Sequence, residues 1–254
     1  MQHLRGNGKL LLTGEYAVLD GALALALPTR LGQTLDFEPG GDTLRWQSFE
    51  AELNPGDFRV LSSTDVAVAE RLAQALRAAR HRNSGFRPAG SAVTRLEFSR
   101  HWGLGTSSTL IANIAAWAGV DAYALLDASF GGSGYDIACA NASGPLLFQR
   151  REGRPHWEAA DFSPPFAGSL WFAYLGQKQD SREGIRRYRD RAAAAAPQWI
   201  QSVSRITAAC LGAASLAEFE ALLREHERLI SSLLGIPPVQ DALFPDHQGV
   251  VKSL

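Results

Sequence analysis

A segment rich in glycine and hydroxyl groups, residues 103–109, is the part of the chain best suited to chemistry. It comprises Gly103-Leu104-Gly105-Thr106-Ser107-Ser108-Thr109. Residues 93–98 before it alternate like a half-buried strand, and apolar residues recur at helical spacing from Leu110 to Trp117. Backbone N–H groups at a helix N-terminus attract anions such as phosphate. The segment therefore predicts a phosphate-binding loop, although an ordinary strand–helix turn with serine caps explains this stretch alone slightly better.

Two further stretches carry residues of useful chemical types. Residues 8–19 are GKLLLTGEYAVL, and residues 132–138 are GSGYDIA. Phosphoryl transfer needs positioned phosphates, a cation that offsets developing negative charge, and a group that handles the proton of the acceptor hydroxyl. The loop at residues 103–109, Lys9 and Asp136 are of these types. The chain has no Gly-x4-Gly-Lys-[Ser/Thr] pattern, so the loop is not a P-loop.

With these three stretches in this order, the chain resembles the GHMP small-molecule kinase superfamily, named for galacto-, homoserine, mevalonate and phosphomevalonate kinases. The resemblance runs from about Gly8 to the end and is strongest over the three stretches. The Gly-Glu-Tyr-Ala-Val-Leu segment at residues 14–19 is most similar to the mevalonate and phosphomevalonate branches. Chance occurrence of all three in the right order is improbable.

The resemblance implies roles for the residues that match its motifs. Asp136 matches the catalytic aspartate that faces the acceptor hydroxyl, and Lys9 matches a lysine that pairs with it and steadies the transferring phosphate. Ser107 aligns with a hydroxyl that ligates Mg²⁺, with Ser108 and Thr109 as neighbouring phosphate donors. The alternative roles are structural, since serine and aspartate commonly cap helices and a lysine at a strand end is usually solvated.

The acceptor is expected to meet a second group of residues. Glu15 and Tyr16 fall where relatives contact it, although Tyr16 could equally be core. Residues 176–182 resemble a segment that meets the acceptor in phosphomevalonate-type relatives, although a solvated loop is the commoner outcome for such a sequence. The residues expected to bind the acceptor are Glu15, Tyr16, Gly134, Lys178, Ser181 and Arg182.

The chain departs from the family at two points. Some relatives carry a glutamate upstream of the catalytic aspartate as a second Mg²⁺ ligand, and here Leu125 stands near that place. Asp127 is the candidate substitute, with a capping or solvated role as its alternative. Relatives also have a third glycine-rich motif after the last helices, and this sequence ends about where that motif should begin. We therefore expect a C-terminal lobe that is truncated or that dispenses with the motif.

Composition and charge narrow the functional classes. The chain has 254 residues, 46% hydrophobic and 20% charged, which is typical of a globular protein with a buried core. A formal net charge of -1 gives no electrostatic support for binding nucleic acid or an anionic membrane. Two unrelated cysteines, Cys139 and Cys210, argue against disulfides and cysteine-based metal sites.

No signal peptide or membrane-spanning run is recognisable, so the sequence predicts a cytoplasmic protein. The expected partners are ATP with Mg²⁺ and a small-molecule acceptor, without nucleic acid or membrane. The sequence is silent on oligomeric state and leaves a homodimer open.

The elements that must position these residues follow from the apolar patterns. Residues 32–37 and 43–49 alternate around Pro39-Gly40-Gly41, which predicts a β-hairpin. Further strands are expected at residues 9–13, 22–27, 93–98, 146–149, 170–175 and 250–254, and helices at 66–80, 110–117, 121–127, 181–195, 198–211 and 216–234. Residues 151–168 are interpreted as connecting structure.

This order predicts an α+β protein of two lobes. Residues 1–150 would form a β-rich N-terminal lobe, ribosomal protein S5 domain 2-like as the resemblance implies, and residues 151–254 a helical lobe. The leading hypothesis is an ATP-dependent kinase of a small anionic alcohol or phosphate, mevalonate- or phosphomevalonate-like, in isoprenoid precursor synthesis. The alternatives are a homoserine or sugar kinase, or a non-catalytic nucleotide- or metabolite-binding protein.

Overall fold

The computed structural model describes residues 1–51, 58–60, 66–176, 181–192 and 196–253. The chain forms two compact units, and each contains two segments of sequence. Unit 1 comprises Met1–Lys9 and Pro28–Ser143, and unit 2 comprises Leu10–Leu27 and Gly144–Leu254. The predicted boundary at residue 150 differs from this division, because residues 10–27 belong with the C-terminal part of the chain.

Unit 1 is built on a sheet with one parallel pair. Strands β1 (Gln2–Thr13) and β2 (Ala24–Pro39) pair with each other and contribute residues to both units. Unit 1 adds β3 (Leu44–Ala51), β4 (Phe58–Val60) and β5 (Gly90–Leu96). β5 pairs antiparallel with β2 from Gln33 opposite Leu96 to Pro39 opposite Gly90, and it pairs in parallel with β3.

The predicted hairpin around Pro39-Gly40-Gly41 is wrong, because β5 lies between β2 and β3. The turn instead holds the start of β5, where the Gly40 N–H donates to Ala89 and the Gly90 N–H donates to Thr43. The alternation of polar and apolar residues identified both strands, β2 and β3. Alternation does not show which strands are neighbours in the sheet. The strands predicted at residues 22–27 and 32–37 are parts of one strand, β2, which begins at Ala24 and contains Pro28.

Four helices lie in the described part of unit 1, and the apolar spacing predicts all of them except the last. They are α1 (Val66–Arg82), α2 (Thr106–Ala118), α3 (Ala122–Asp127) and α4 (Tyr135–Asn141). Ser63-Thr64-Asp65, which precede α1, are of residue types that commonly cap helices, but they lie outside the described residues. The core joins sheet residues such as Leu35 and Ala92 to Ile111 and Ile114 of α2 and Leu125 of α3. Leu125 is therefore core, fully buried.

Unit 2 contains a β-hairpin that the sequence did not predict. Strands β6 (Leu146–Arg151) and β7 (Arg154–Ala159) pair antiparallel, and β6 also pairs with the start of β2. Glu152 and Gly153 both have positive φ, 51° and 74°, as a two-residue hairpin turn requires. Residues 154–159 are therefore a strand and not connecting structure. β7 was missed because nearly all of its residues are exposed, so it lacks apolar alternation.

The helical part of unit 2 agrees with the predicted pattern, except that its last helix was not predicted. Its helices are α5 (Ser181–Ala192), α6 (Ala196–Leu211), α7 (Leu216–Leu234) and α8 (Val239–Leu243). Phe219 of α7 is fully buried and contacts the rings of Phe162 and Phe166. Among the described residues, no helix is long and apolar enough to cross a membrane. The mixed α and β architecture confirms the predicted fold class.

Two predicted strands are wrong. Residues 170–175 have no strand pairing, and Trp171, Phe172 and Tyr174 are exposed. Residues 250–253 also form no strand. They are held instead by side chains of unit 2, since the Val251 N–H donates to Gln240 Oε1. An apolar run shows that burial or pairing is favoured but cannot supply the partner strand.

Candidate active site

The glycine loop ends at an uncapped helix N-terminus. Gly103 and Gly105 have φ of 76° and 89°, and Gly105 is the N-cap residue of α2 without a side chain to cap it. The N–H groups of Ser108 and Thr109 donate to the Gly105 carbonyl and close the first turn. Helix geometry leaves the preceding N–H groups, up to Ser107, without intrahelical acceptors. The loop thus carries the donors and the positive dipole end that suit an anion.

β1 places Lys9 directly against this loop. The Lys9 N–H donates to the Leu104 carbonyl at 3.0 Å. A Cβ added to Gly105 would lie 3.0 Å from Lys9 Cγ and 3.7 Å from Asp136 Oδ1. The missing side chain at Gly105 therefore gives the lysine its path towards the aspartate. The glycine pattern predicted that the loop backbone comes close to a ligand. In the structure, the backbone at Gly105 also comes close to the Lys9 side chain.

Lys9 and Asp136 form a partly buried ion pair in unit 1. Lys9 Nζ lies 3.7 Å from Asp136 Oδ1, and the two side chains are 19% and 20% exposed. The ammonium also lies 5.3 Å from the centre of the Tyr135 ring. Burial acts to lower the pKa of Lys9, but Tyr135 and Asp136 outweigh it and raise that pKa above its ordinary value. Lys9 is therefore a permanent cation at neutral pH.

The residues around the pair are uncharged, with Tyr135 half-buried and Gly134 and Cys139 buried. Burial, reinforced by Asp136, raises the pKa of Tyr135 above its ordinary range. Burial raises the pKa of Cys139 to about 12, so its thiol is protonated. Gly134 is the N-cap residue of α4 with φ of 96° and is buried. Asp136 follows it in the first turn, so the backbone of this turn fixes the position of the carboxylate.

The hydroxyl groups of the loop are not equally accessible. Thr106 and Ser107 are half-buried, whereas Ser108 is 9% exposed and Thr109 is 1% exposed. The Thr109 hydroxyl contacts Gln33 Oε1 at 2.8 Å and the Thr106 carbonyl at 3.0 Å. The Thr109 hydroxyl therefore ties α2 to β2, and the role of Thr109 as a phosphate donor stays a prediction.

The two predicted metal ligands, Ser107 and Asp127, lie on different helices. Ser107 lies in the first turn of α2, and Asp127 is exposed at the end of α3. In the described part of the chain, no three His, Cys, Asp or Glu residues are grouped as a metal site requires. The Ser107 hydroxyl is an oxygen donor of the kind that Mg²⁺ accepts when phosphates supply the other ligands. The residues present thus fit a phosphate-bound Mg²⁺ and not a protein cage.

Unit 2 holds the other predicted residues, and Glu15 there is already paired. Its side chain is buried, with Oε1 bonded to the Lys252 ammonium and Oε2 lying 3.3 Å from His226 Nε2. Burial raises the pKa of Glu15, an effect that Lys252 opposes. The expected contact of the Glu15 carboxylate with an acceptor is not seen in this arrangement, since both oxygens face residues of unit 2.

Tyr16 is half-buried and packs against α5. Its ring lies 6.2 Å from that of Tyr188 at an interplanar angle of 24°. Lys178 lies outside the described residues, and so do the side chains of Ser181 and Arg182 at the start of α5. The acceptor-binding roles of these three residues stay predictions.

No family model and no curated protein matches the sequence. Among solved structures, L. major mevalonate kinase with R-mevalonate matches with a TM-score of 0.68 at 14% identity, over 92% of this chain and 76% of that one. Streptococcus pneumoniae phosphomevalonate kinase with phosphomevalonate and AMPPNP matches with a TM-score of 0.63 at 16% identity, over 92% and 80%. The chain has the GHMP kinase fold.

A third solved structure with this fold is a kinase of a different kind of acceptor. A heptose 1-phosphate kinase from Bacteroides thetaiotaomicron matches with a TM-score of 0.56 at 15% identity, over 89% of this chain and 78% of that one. The resemblance inferred from the three motifs is confirmed at the level of the fold. At these identities the comparisons establish the architecture, so activity and substrate rest on the site itself.

Sequence reasoning missed several residues that the GHMP fold brings to its candidate sites. Tyr135 was quoted only as part of a motif, and His226 and Lys252 were not singled out. His226 lies within the apolar stripe of α7, and Lys252 follows two valines near the end of the chain. Neither has a motif around it, and only their contact with Glu15 distinguishes them.

Proposed function

We propose that this protein is an ATP-dependent kinase that phosphorylates a small anionic alcohol or phosphate resembling mevalonate or phosphomevalonate. The observation that carries the proposal is the grouping of Lys9, Gly105 and Asp136 at the uncapped start of α2. A phosphate loop, a permanent cation and a fixed carboxylate are the three parts that phosphoryl transfer requires.

The loop at residues 103–109 would bind the triphosphate through backbone N–H groups. Gly105 leaves the helix start without a side-chain cap, so those donors stay directed at the ligand. The half-buried hydroxyls of Thr106 and Ser107 would add donors. Ser107 would hold Mg²⁺ together with the nucleotide phosphates, and the metal would supply charge neutralisation on those phosphates. Asp127, which is exposed, is a weaker candidate for a second ligand.

Asp136 and Lys9 would act on the acceptor side of the reaction. At 3.7 Å the ammonium of Lys9 and the carboxylate of Asp136 attract each other but form no hydrogen bond. The carboxylate therefore keeps its capacity to accept a proton. Asp136 would accept the proton of the acceptor hydroxyl as that oxygen attacks the terminal phosphorus of ATP, while the bond from this phosphorus to the β-phosphate oxygen breaks and ADP leaves. Lys9 would offset the negative charge that develops on the transferred phosphoryl group.

The acceptor class rests on the fold neighbours and on unit 2. Two neighbours carry mevalonate and phosphomevalonate. We assign an acceptor contact to Tyr16 of the Gly14-Glu15-Tyr16 turn. Gly134, Lys178, Ser181 and Arg182 stay predicted acceptor contacts. Such an acceptor would place the protein in isoprenoid precursor synthesis. The heptose 1-phosphate kinase neighbour supports a sugar phosphate as the second candidate acceptor.

The test is an acceptor panel. Purified protein is incubated with ATP, Mg²⁺ and, in turn, mevalonate, phosphomevalonate, homoserine, galactose or a heptose 1-phosphate, and ADP release is followed against an acceptor-free control. We expect ADP release above the control with mevalonate or phosphomevalonate. Turnover of the heptose 1-phosphate instead would contradict the mevalonate-like acceptor and support a sugar phosphate. Nucleotide binding without ADP from any acceptor would favour a binding protein and contradict the proposal.

A further inference from the structure

The turn that carries Tyr16 has a strained backbone. Tyr16 has φ of 58° and ψ of -47°, and the Ala17 N–H donates to the Glu15 carbonyl at 2.6 Å. This is a γ-turn with positive φ at its central residue, a rare conformation that costs free energy in a residue with a Cβ. Such a turn persists only where its surroundings hold it in place.

His226 holds the turn from the side of Gly14. The Gly14 N–H donates to His226 Nε2 at 2.9 Å, and the imidazole has no solvent exposure. Burial, together with the neighbouring Lys252, lowers the pKa of His226 well below its ordinary value, so the ring is neutral and Nε2 can accept. The bond fixes the residue just before Glu15, and Gly14 itself has a positive φ of 96°.

Lys252 holds the turn from the side of Glu15. Its ammonium bonds to Glu15 Oε1 and to the Ser253 carbonyl, and its side chain is 5% exposed. The segment that carries Lys252 is itself held by α7 and α8. The Val251 N–H donates to Gln240 Oε1 at 3.1 Å, and the Ser253 N–H donates to Glu227 Oε1 at 3.4 Å. The lysine therefore reaches Glu15 from a position that the rest of unit 2 determines.

The contacts of Glu15 with Lys252 and His226 lower the stability of the folded protein more than a purely structural contact should. Among the described residues, Glu15 Oε2 and His226 Nδ1 are buried without a hydrogen-bond partner. A buried ion pair seldom stabilises a protein more than apolar residues of similar size would, and unpartnered buried polar atoms lower stability. Strained backbone and costly polar groups occur together mainly at functional sites, where they fix the placement of a side chain.

The Tyr16 side chain is the group whose placement is fixed. Its ring stacks on Tyr188, whose hydroxyl in turn donates to Asp20 Oδ2 at 2.5 Å. A Cβ on Gly184 would overlap the Tyr16 phenol, so the ring occupies space that only a glycine leaves open. The turn sets the backbone, and α5 sets the ring.

We propose that His226 and Lys252 are positioning residues that hold the γ-turn at Tyr16 and thereby set how Tyr16 meets the acceptor. The inference rests on the proposed kinase function and adds two residues to it. In this assignment Glu15 acts through the turn and not as a direct acceptor ligand.

The experiment compares K252M and H226N with R205M, a matched removal of a cation from the exposed Arg205–Glu225 pair of unit 2. Amide hydrogen exchange of residues 14–19 reports the turn. Steady-state kinetics report KM for the acceptor and kcat, and titration reports nucleotide Kd. E15Q and the E15Q/K252M double variant complete a cycle, since removing both charges of a buried pair usually preserves folding better than removing one.

We expect K252M and H226N to accelerate exchange at residues 14–19 by about tenfold. We also expect them to raise the acceptor KM by about tenfold or more, since a misplaced contact weakens acceptor binding. Nucleotide Kd should stay at the R205M value, and the double variant should be no worse than K252M. Exchange or acceptor KM equal to that of R205M would overturn the inference.

Failure of the proposed function gives a different pattern. A wild-type protein that turns over no acceptor overturns the kinase proposal and, with it, the acceptor role of the turn. Exchange at residues 14–19 in K252M and H226N then still decides whether these two residues hold the turn.

Discussion

Lys9 Nζ lies 3.7 Å from Oδ1 of Asp136, beyond hydrogen-bond distance but within strong electrostatic attraction. The two residues come from β1 and α4, and the lysine chain passes over Gly105. The pair is about one-fifth exposed, so a ligand can reach it while water is partly excluded. This relationship leads to the first two predictions.

The first prediction concerns the charges of the pair. D136N should lower kcat by about two to four orders of magnitude, because it removes the proton acceptor while keeping side-chain size. K9M should lower kcat by about two to three orders, because it removes the cation near the transferred group. Nucleotide Kd, measured by calorimetry, should change little in D136N. A D136N enzyme with near-normal turnover would remove Asp136 from the mechanism.

The second prediction concerns Gly105, with Gly103 as its matched control. Both have positive φ, but a Cβ on Gly103 meets open space, whereas one on Gly105 lies 3.0 Å from Lys9 Cγ. Both alanine variants should lose about 1 kcal/mol of stability or more from backbone strain. G105A should in addition lower kcat at least tenfold more than G103A, because it displaces Lys9. Equal kinetics in the two variants would argue against this contact.

The third prediction concerns pH and His226. Burial, with Lys252, lowers the pKa of His226 in the folded protein, whereas the unfolded chain binds a proton near pH 6.5. The folded pKa is the lower one, so its contribution to stability is complete above about pH 6.5 and is lost as pH falls towards the folded pKa. Wild type should therefore lose up to about 1.4 kcal/mol per pH unit more than H226N in this range.

Urea unfolding of both proteins at several pH values between about 6.5 and 5 measures this difference. H226N does not titrate, and it loses the acceptor of the Gly14 N–H at every pH, so this loss lowers its stability without changing the pH dependence. Glu15 and Lys252 face the same position in both proteins, so their contributions largely cancel in the comparison. Parallel stability curves for wild type and H226N would show that His226 protonates equally in the folded and unfolded states.

The fourth prediction concerns the space that Gly184 leaves for Tyr16. In an open helix position, alanine in place of glycine stabilises by about 1 kcal/mol. G184A should instead destabilise by about 1–3 kcal/mol, because its Cβ overlaps the Tyr16 phenol. The control G168A, at an exposed position with open space, should stay within about 0.5 kcal/mol of wild type. A stabilised G184A in denaturant titrations would contradict the packing.

The fifth prediction concerns the thiols. Cys139 is fully buried and Cys210 is 1% exposed, and burial raises the pKa of each to about 12. Because the thiolate is the reactive form, neither should react with a thiol reagent at neutral pH in the folded protein. Both should react in guanidinium chloride, which serves as the control. Rapid labelling of the native protein would show that one unit opens readily.

The local patterns carried much of the architecture. The helices near residues 66–82, 106–118 and 216–234 were predictable, because apolar spacing marks the buried face of a helix without reference to its partner. The glycine loop was predictable only together with the stretches at residues 8–19 and 132–138, because an ordinary strand–helix turn explains the loop alone slightly better. Lys9 and Asp136 were identified by the motifs in which they occur.

Contacts between residues far apart in the sequence were visible only in the tertiary structure. The insertion of β5 between β2 and β3, the hydroxyl of Thr109 facing Gln33, and the pairing of Glu15 with Lys252 are long-range contacts. A side-chain pattern records whether a residue prefers burial or water, whereas a specific contact depends on which other element occupies the adjacent space. By itself, the sequence determined the local elements and the chemical types of the candidate catalytic residues. Only the tertiary structure placed Lys9 beside Asp136 and Glu15 beside Lys252 and His226, because close packing brings those groups together.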